Sequence, residues 1–136
     1  MARAEPFVHP IVVRYLEVDR QGVVFNMWYL AYLDDAMTAF LAASGLPYGD
    51  LLAAGFDVQL VHTELDWRGP LGFGDEAAVH VVVSHIGRTS FTLDFEVVSS
   101  DRTVVNARTV YVAVRTDEPG TCVLPPALRD ALGSVA

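Results

Sequence analysis

One stretch of this chain repeats with a helical period, and nearly everything after it alternates like sheet. From Asn26 to Ser44, NMWYLAYLDDAMTAFLAAS, the residues Trp28, Tyr29, Tyr32, Leu33, Ala36, Met37, Phe40 and Leu41 recur at steps of three and four, with Asp34, Asp35 and Thr38 on the other side. The spacing predicts one amphipathic helix of about 18 residues, stopped by Gly45 and Pro47. A stripe this apolar must be buried, and the economical partner is a sheet face. Strand candidates supply one. Phe7 to Val18 precedes the helix, with Pro10 marking a bulge or an edge position. After a short helical piece, GDLLAAG, come runs at Phe56 to Trp67, Ala77 to Ile86, Ser90 to Ser99 and Thr103 to Arg115. SFTLDFEVVS alternates most cleanly, with Phe91, Leu93, Phe95 and Val97 on one face and Ser90, Thr92, Asp94 and Glu96 on the other. RGPLGFGD and Ser99 to Arg102 read as turns, and the tail from Thr116 reads as a loop with one terminal helical turn. The expectation is an α+β fold: an antiparallel five-stranded sheet wrapped around one long central helix. It forms a single domain over residues 1–136, with its core at about 7–116 and a tail at 117–136. The far face of the sheet is also rich in Val, so that face or a sheet edge is expected to be covered by another subunit.

Composition narrows the function classes. A formal charge of −8 argues against nucleic acid as a general partner, because phosphate backbones need a basic face, yet leaves room for one anionic ligand held by local arginines. No apolar run reaches the roughly 20 residues of a membrane span, and MARAEPFVHP has no export-signal pattern. The single cysteine, Cys122, excludes an intramolecular disulfide and a Cys-rich zinc site. These features fit a cytoplasmic protein. His9, His80 and His85 lack metal-ligand spacing, so no metal is expected. His62, Glu64 and Asp66 share one strand face and read as a surface polar group or as a cluster near a subunit interface.

The unusual turn is VDRQGVVFN, Val18 to Asn26. Asp19 closes a strand-like run, Gly22 follows, and the exit is apolar through Val23, Val24 and Phe25 before Asn26. Asp is a common N-cap or Asx-turn residue, and Asn26 can serve as a cap at the helix start. The alternative is that both face a cleft.

VRYLEVDRQGVVFNMWYLAYLDDAM resembles the N-terminal signature of hotdog-fold acyl-CoA thioesterases of the 4-hydroxybenzoyl-CoA thioesterase type. LDWRGPLGFGDE is similar to that family's aromatic-x-Arg-Pro-x-x-x-Gly-Asp turn, with Gly69 inserted between Arg68 and Pro70, and IGRTSFTLDFEV is similar to its Gly-x-Ser/Thr-Ser segment. The likeness runs from Val8 to Arg115. Val23-Val24-Phe25-Asn26 keeps the family's final asparagine and lacks the histidine of some members, a departure that bears on substrate class. The resemblance implies dimers of hotdogs joined edge to edge, often paired into tetramers, with active sites at subunit interfaces near the N-terminal end of the long helix. It carries over Asp19 as the catalytic carboxylate. It also places coenzyme A phosphate contacts at Arg88, Thr89 and Ser90, which a neighbouring subunit can supply.

An ionised Asp19 could attack a thioester carbonyl or act as base toward water. Backbone N–H groups around Val24 to Asn26 could polarise the carbonyl oxygen, and Gly22 would let substrate approach closely. Asn26 would contact substrate, and Val23, Val24, Phe25 and Tyr29 would line the acyl pocket, although tyrosines placed like Tyr29 and Tyr32 are more often helix core, Tyr29 being the better pocket candidate of the two. Arg88, Thr89 and Ser90 offer donors suited to phosphate, or form a plain hairpin turn. The expected reaction is hydrolysis of a small or medium acyl-CoA thioester, aliphatic or aromatic, to free acid and coenzyme A, with no cofactor beyond the coenzyme A of the substrate. Competing readings are a thioesterase acting on acyl carrier protein and a non-catalytic acyl-binding or assembly protein. A hotdog dehydratase would use a histidine, and the segment from Asp19 to Ser44 has none.

Overall fold

The computed structural model describes residues 5–133. In chain order it contains β1 (Phe7–Val12), a 3-10 turn (Tyr15–Glu17), α1 (Trp28–Ala43), α2 (Tyr48–Ala53) and β2 (Phe56–Trp67). There follow β3 (Glu76–Ile86), β4 (Ser90–Ser99), β5 (Arg102–Arg115), β6 (Thr121–Cys122) and α3 (Pro126–Leu132). The strands pair antiparallel in the order β1-β3-β4-β5-β2, and β6 adds to β5. The architecture is the hotdog arrangement, one sheet packed against one long helix.

Helix α1 exists because its stripe has somewhere to go. Tyr29, Tyr32, Leu33, Ala36, Met37 and Leu41 are buried, and Trp28 and Phe40 are half-buried against the same core. The sheet answers with the alternation read in β4: Phe91, Leu93, Phe95 and Val97 are all buried beneath the helix. Burying each such side chain contributes roughly 1.5–3 kcal/mol. The helix ends as its sequence demands. Gly45 adopts φ +95, and the Leu46 amide reaches back to the Leu41 carbonyl at 2.9 Å, a glycine-based C-terminal cap. Between β4 and β5, Ser100 and Asp101 both take positive φ (50 and 61), the turn that matches the twist of a two-residue hairpin.

Two expectations need correction. The first strand stops at Val12, not Val18, because the chain coils into the 3-10 turn held by Glu17. The tail is more than a loop with one helical turn. Residues Thr121–Cys122 pair with Val114 and Ala113, taking up the β5 edge beyond the point where β4 begins at Ser90, and α3 buries Leu128, Ala131 and Leu132. The far face of the sheet carries valines, among them Val82, Val110 and Val112, beside polar pairs: Arg108 makes two hydrogen bonds to the Asp94 carboxylate at 2.8 and 3.0 Å, and Thr103 bonds Glu96. Exposed apolar groups lie on this face at Val8 and Val82 and on the edge strand β2 at Leu60, Val61 and Trp67. Val61 is the extra residue of a bulge. Pro10 does sit in an edge strand, β1. No helix among the described residues is long and apolar enough to cross a membrane.

Candidate active site

The Asp19 turn is a short hairpin docked onto the loop before β3. The Asp19 amide donates to the Val23 carbonyl (2.9 Å), the Gly22 amide donates to the Asp19 carbonyl (2.9 Å), and Val18 bridges Val24. Gly22 has φ +80, a left-handed conformation that a side chain would strain. The Asp19 carboxylate accepts the Gln21 amide at 2.8 Å, an Asx turn that leaves its other oxygen unengaged among the described residues. The helix starts well beyond it, so Asp19 is no helix cap. Behind the hairpin, the Val24 amide donates to the Leu71 carbonyl (2.8 Å) and Val23 bridges Gly72. Asp75 fixes that loop by accepting the Gly72 amide at 2.7 Å.

This pairing redistributes the candidate donors. The Val24 amide is taken by Leu71, and the Phe25 amide donates to the Glu17 carbonyl at 2.9 Å, so neither is available to a substrate. The next two amides, of Asn26 and Met27, meet no acceptor among the described residues. The residue preceding α1 is Met27, and no side chain caps the helix, so Asn26 is not the cap; it is exposed. The helix start therefore presents unpaired donors and the positive end of its dipole.

The other sequence candidates separate. Val24 is buried at 3% exposure and Tyr29 at 2%, both within the core of a single chain, so they support the site from beneath. Burial pushes the Tyr29 hydroxyl above its ordinary value. Val23 is half-buried and Phe25 is half-exposed at the surface. Tyr15 (82% exposed) and Phe73 (61%) were not singled out from the sequence, yet they meet edge to face at 5.9 Å beside the hairpin. Leu16 and Met27 are exposed there too. This much open apolar surface around one carboxylate is unusual for a solvated turn. The signal in the sequence was aromatic residues placed inside turns.

Glu17 is the other residue missed. It is 3% exposed and accepts three hydrogen bonds: from the Arg14 amide (2.9 Å), the Arg14 guanidinium (2.8 Å) and the Tyr32 hydroxyl (2.8 Å). Burial alone would raise its carboxyl, but those hydrogen bonds outweigh burial and hold it below the usual carboxylate value. Burial and the Glu17 charge push the Tyr32 hydroxyl upward. Arg14 also stacks over Trp28 at 5.9 Å. An Arg and a Glu at i and i+3 just before the Asp were the available clue.

Arg88, Thr89 and Ser90 sit in the β3–β4 hairpin, at the opposite end of β3 from Asp19. The Gly87 amide donates to the Ser90 carbonyl (2.7 Å), the Leu124 amide donates to the Arg88 carbonyl (3.0 Å), and Arg129 donates to the Gly87 carbonyl (2.7 Å). The Arg88 side chain is exposed. Within one chain the structure brings Asp19, Gly22, Val23, Phe25 and Asn26 together and leaves Arg88, Thr89 and Ser90 remote. On the far sheet face, His62 pairs with Glu64 at 3.0 Å, both exposed.

Residues 13–132 match the family described as the thioesterase-like superfamily. A relative in Aquifex aeolicus that carries an esterase name is 30% identical over 110 residues, 81% of this chain and 86% of its own. The 1,4-dihydroxy-2-naphthoyl-CoA hydrolase of Synechococcus elongatus is 27% identical over 123 residues, covering 89% of this chain and 90% of that protein. The crystal structure of a 1,4-dihydroxy-2-naphthoyl-CoA thioesterase from Synechocystis shares the fold, with a TM-score of 0.84 at 23% identity over 93% of this chain and 94% of that one. With its hotdog sheet and a match spanning nearly its whole length, the chain belongs to the thioesterase-like superfamily.

Proposed function

We propose that this protein is an acyl-CoA thioesterase of the 4-hydroxybenzoyl-CoA type, hydrolysing a thioester with an aromatic acyl group to the free acid and coenzyme A. The observation that carries the reading is Asp19: a carboxylate held in a hydrogen-bonded hairpin turn with one oxygen unengaged among the described residues, followed by the unpaired amides of Asn26 and Met27. Those donors suit the oxygen that gains charge as the carbonyl becomes tetrahedral, and each is typically worth about 3 kcal/mol in a dry site. Asp19 either attacks the carbonyl, expelling the coenzyme A thiolate and leaving an anhydride that water opens, or draws the proton from an attacking water. Tyr15, Phe25 and Phe73 would flank the acyl group. The aromatic preference is supported by these rings and by the Synechococcus relative named for an aryl-CoA substrate.

The site is completed by a second copy in this reading. Two chains join along the outer edge of β2, where Leu60, Val61 and Trp67 are exposed, and dimers pair into tetramers. The partner then supplies Arg88, Thr89 and Ser90 to the coenzyme A phosphates. The deciding experiment is a panel of aryl and alkyl acyl-CoA thioesters read by thiol release. Turnover of an aryl ester supports the proposal, and no turnover of any member would sink it.

A further inference from the structure

Glu17 is the one charged side chain buried among the described residues, and it lies two positions before Asp19. Burying a carboxylate costs several kcal/mol unless donors replace the lost water. Here three donors do so, from two separate parts of the fold: Arg14 at the exit of β1 and Tyr32 on α1. The same residue's carbonyl accepts the Phe25 amide, on the arm of the hairpin that leads away from Asp19. Glu17 thus fastens the incoming arm, the outgoing arm and the helix beneath them to one point. The carboxylate of Asp19 belongs to the first arm, and the unpaired amides of Asn26 and Met27 belong to the second.

Resting on the thioesterase reading above, we propose that Glu17 is a positioning residue, which sets the placement of the Asp19 carboxylate relative to the Asn26 and Met27 amides without touching substrate. A turn held only for stability could be capped by an exposed carboxylate. Burial against Tyr32 adds the registration of hairpin to helix, which matters when reacting groups must be held to within about 1 Å, a displacement that can cost on the order of 100-fold in rate. In Glu17→Gln the shape is kept, but an amide –NH2 competes with the Arg14 donors; in Tyr32→Phe one of the three hydrogen bonds is removed.

The test measures steady-state kinetics and amide hydrogen exchange well below the melting temperature, beside a destabilised control, Leu51→Ala, in the α2 core. Glu17→Gln is expected to lower kcat by about 10- to 100-fold with KM within about twofold of the parent. Exchange of the Phe25 amide should accelerate in Glu17→Gln and stay at the parent rate in Leu51→Ala. Tyr32→Phe should act in the same direction but less, and it carries the test if Glu17→Gln does not fold. An unchanged kcat in these variants overturns the proposal, whether or not exchange rises. So does a fall in kcat that Leu51→Ala reproduces at an equal loss of melting temperature. If the parent protein hydrolyses no acyl-CoA thioester, the thioesterase reading fails separately, while an unchanged Phe25 exchange rate in Glu17→Gln would still remove Glu17 from the hairpin's support.

Discussion

The hairpins at the two ends of β3 are built to different plans. At the Asp19 end the turn is fastened by a buried carboxylate and by pairing with the Leu71 loop, and it is surrounded by exposed aromatic and aliphatic side chains. At the Arg88 end the turn is pinned from outside by the C-terminal segment, and it offers a cation and hydroxyls. A Cβ at Gly87 would fit tightly there, 3.2 Å from the Ser90 hydroxyl and 3.3 Å from its carbonyl. In the proposed reading, one end takes the apolar acyl group near an anion and the other takes a phosphate. Eleven residues of β3 separate them, on the order of 35 Å at strand rise. In that reading, a single coenzyme A ester meets both chemistries where two copies bring opposite ends together.

The sharpest way to break this contrast is Asp19→Asn. We expect thioester hydrolysis to fall by about 10²–10⁴-fold with the assembly intact by light scattering; full activity would take the chemistry away from that end. Arg88→Ala should raise KM for coenzyme A esters about tenfold, the low end of what a charge-assisted hydrogen bond contributes. Short thioesters lacking the nucleotide should be unaffected, and an equal effect on both would remove Arg88 from the phosphate site. Reassembling the two variants together sharpens the point, because mixed dimers should show a low-KM activity that neither parent has, and simple averaging would place both groups of one site on the same chain. Gly22→Ala should cost about 1 kcal/mol through its positive φ, seen as a drop of a few degrees in melting temperature. The smallest effect is expected with pH. The Glu17 carboxyl is lowered on folding, so its contribution to stability is present above the unfolded value of about 4.3 and is lost as pH falls through the lower, folded value. Melting temperature should therefore decline below about pH 4.3 more steeply in the parent than in Glu17→Gln.

What could be read ahead of the structure was local and periodic. The stripe from Tyr29 to Leu41 and the alternation from Phe91 to Val97 repeat often enough to fix element type and buried face together. The run from Val13 to Val18 looked like more strand because its composition is β-prone, but the carboxylate of Glu17 captures the Arg14 amide and bends the chain, and the Arg14 guanidinium and Tyr32 of α1 complete its donors. Two-residue β6 has no pattern of its own; it exists because β4 starts late and leaves β5 uncovered. Asp19 and Gly22 stood out as residues, whereas the assignment of donors did not, since it depends on Leu71 and Glu17 already consuming the Val24 and Phe25 amides.

The pinning of the Arg88 hairpin by residues Leu124 and Arg129 has a practical side. The C-terminal segment is the mechanical backing of the end proposed to hold the nucleotide, so fusions or purification tags placed there should register as altered coenzyme A affinity, and truncations that remove the buried Leu128, Ala131 and Leu132 should lower the melting temperature as well. Immobilisation through a solvent-facing position on α1, such as Asp35, leaves that backing alone.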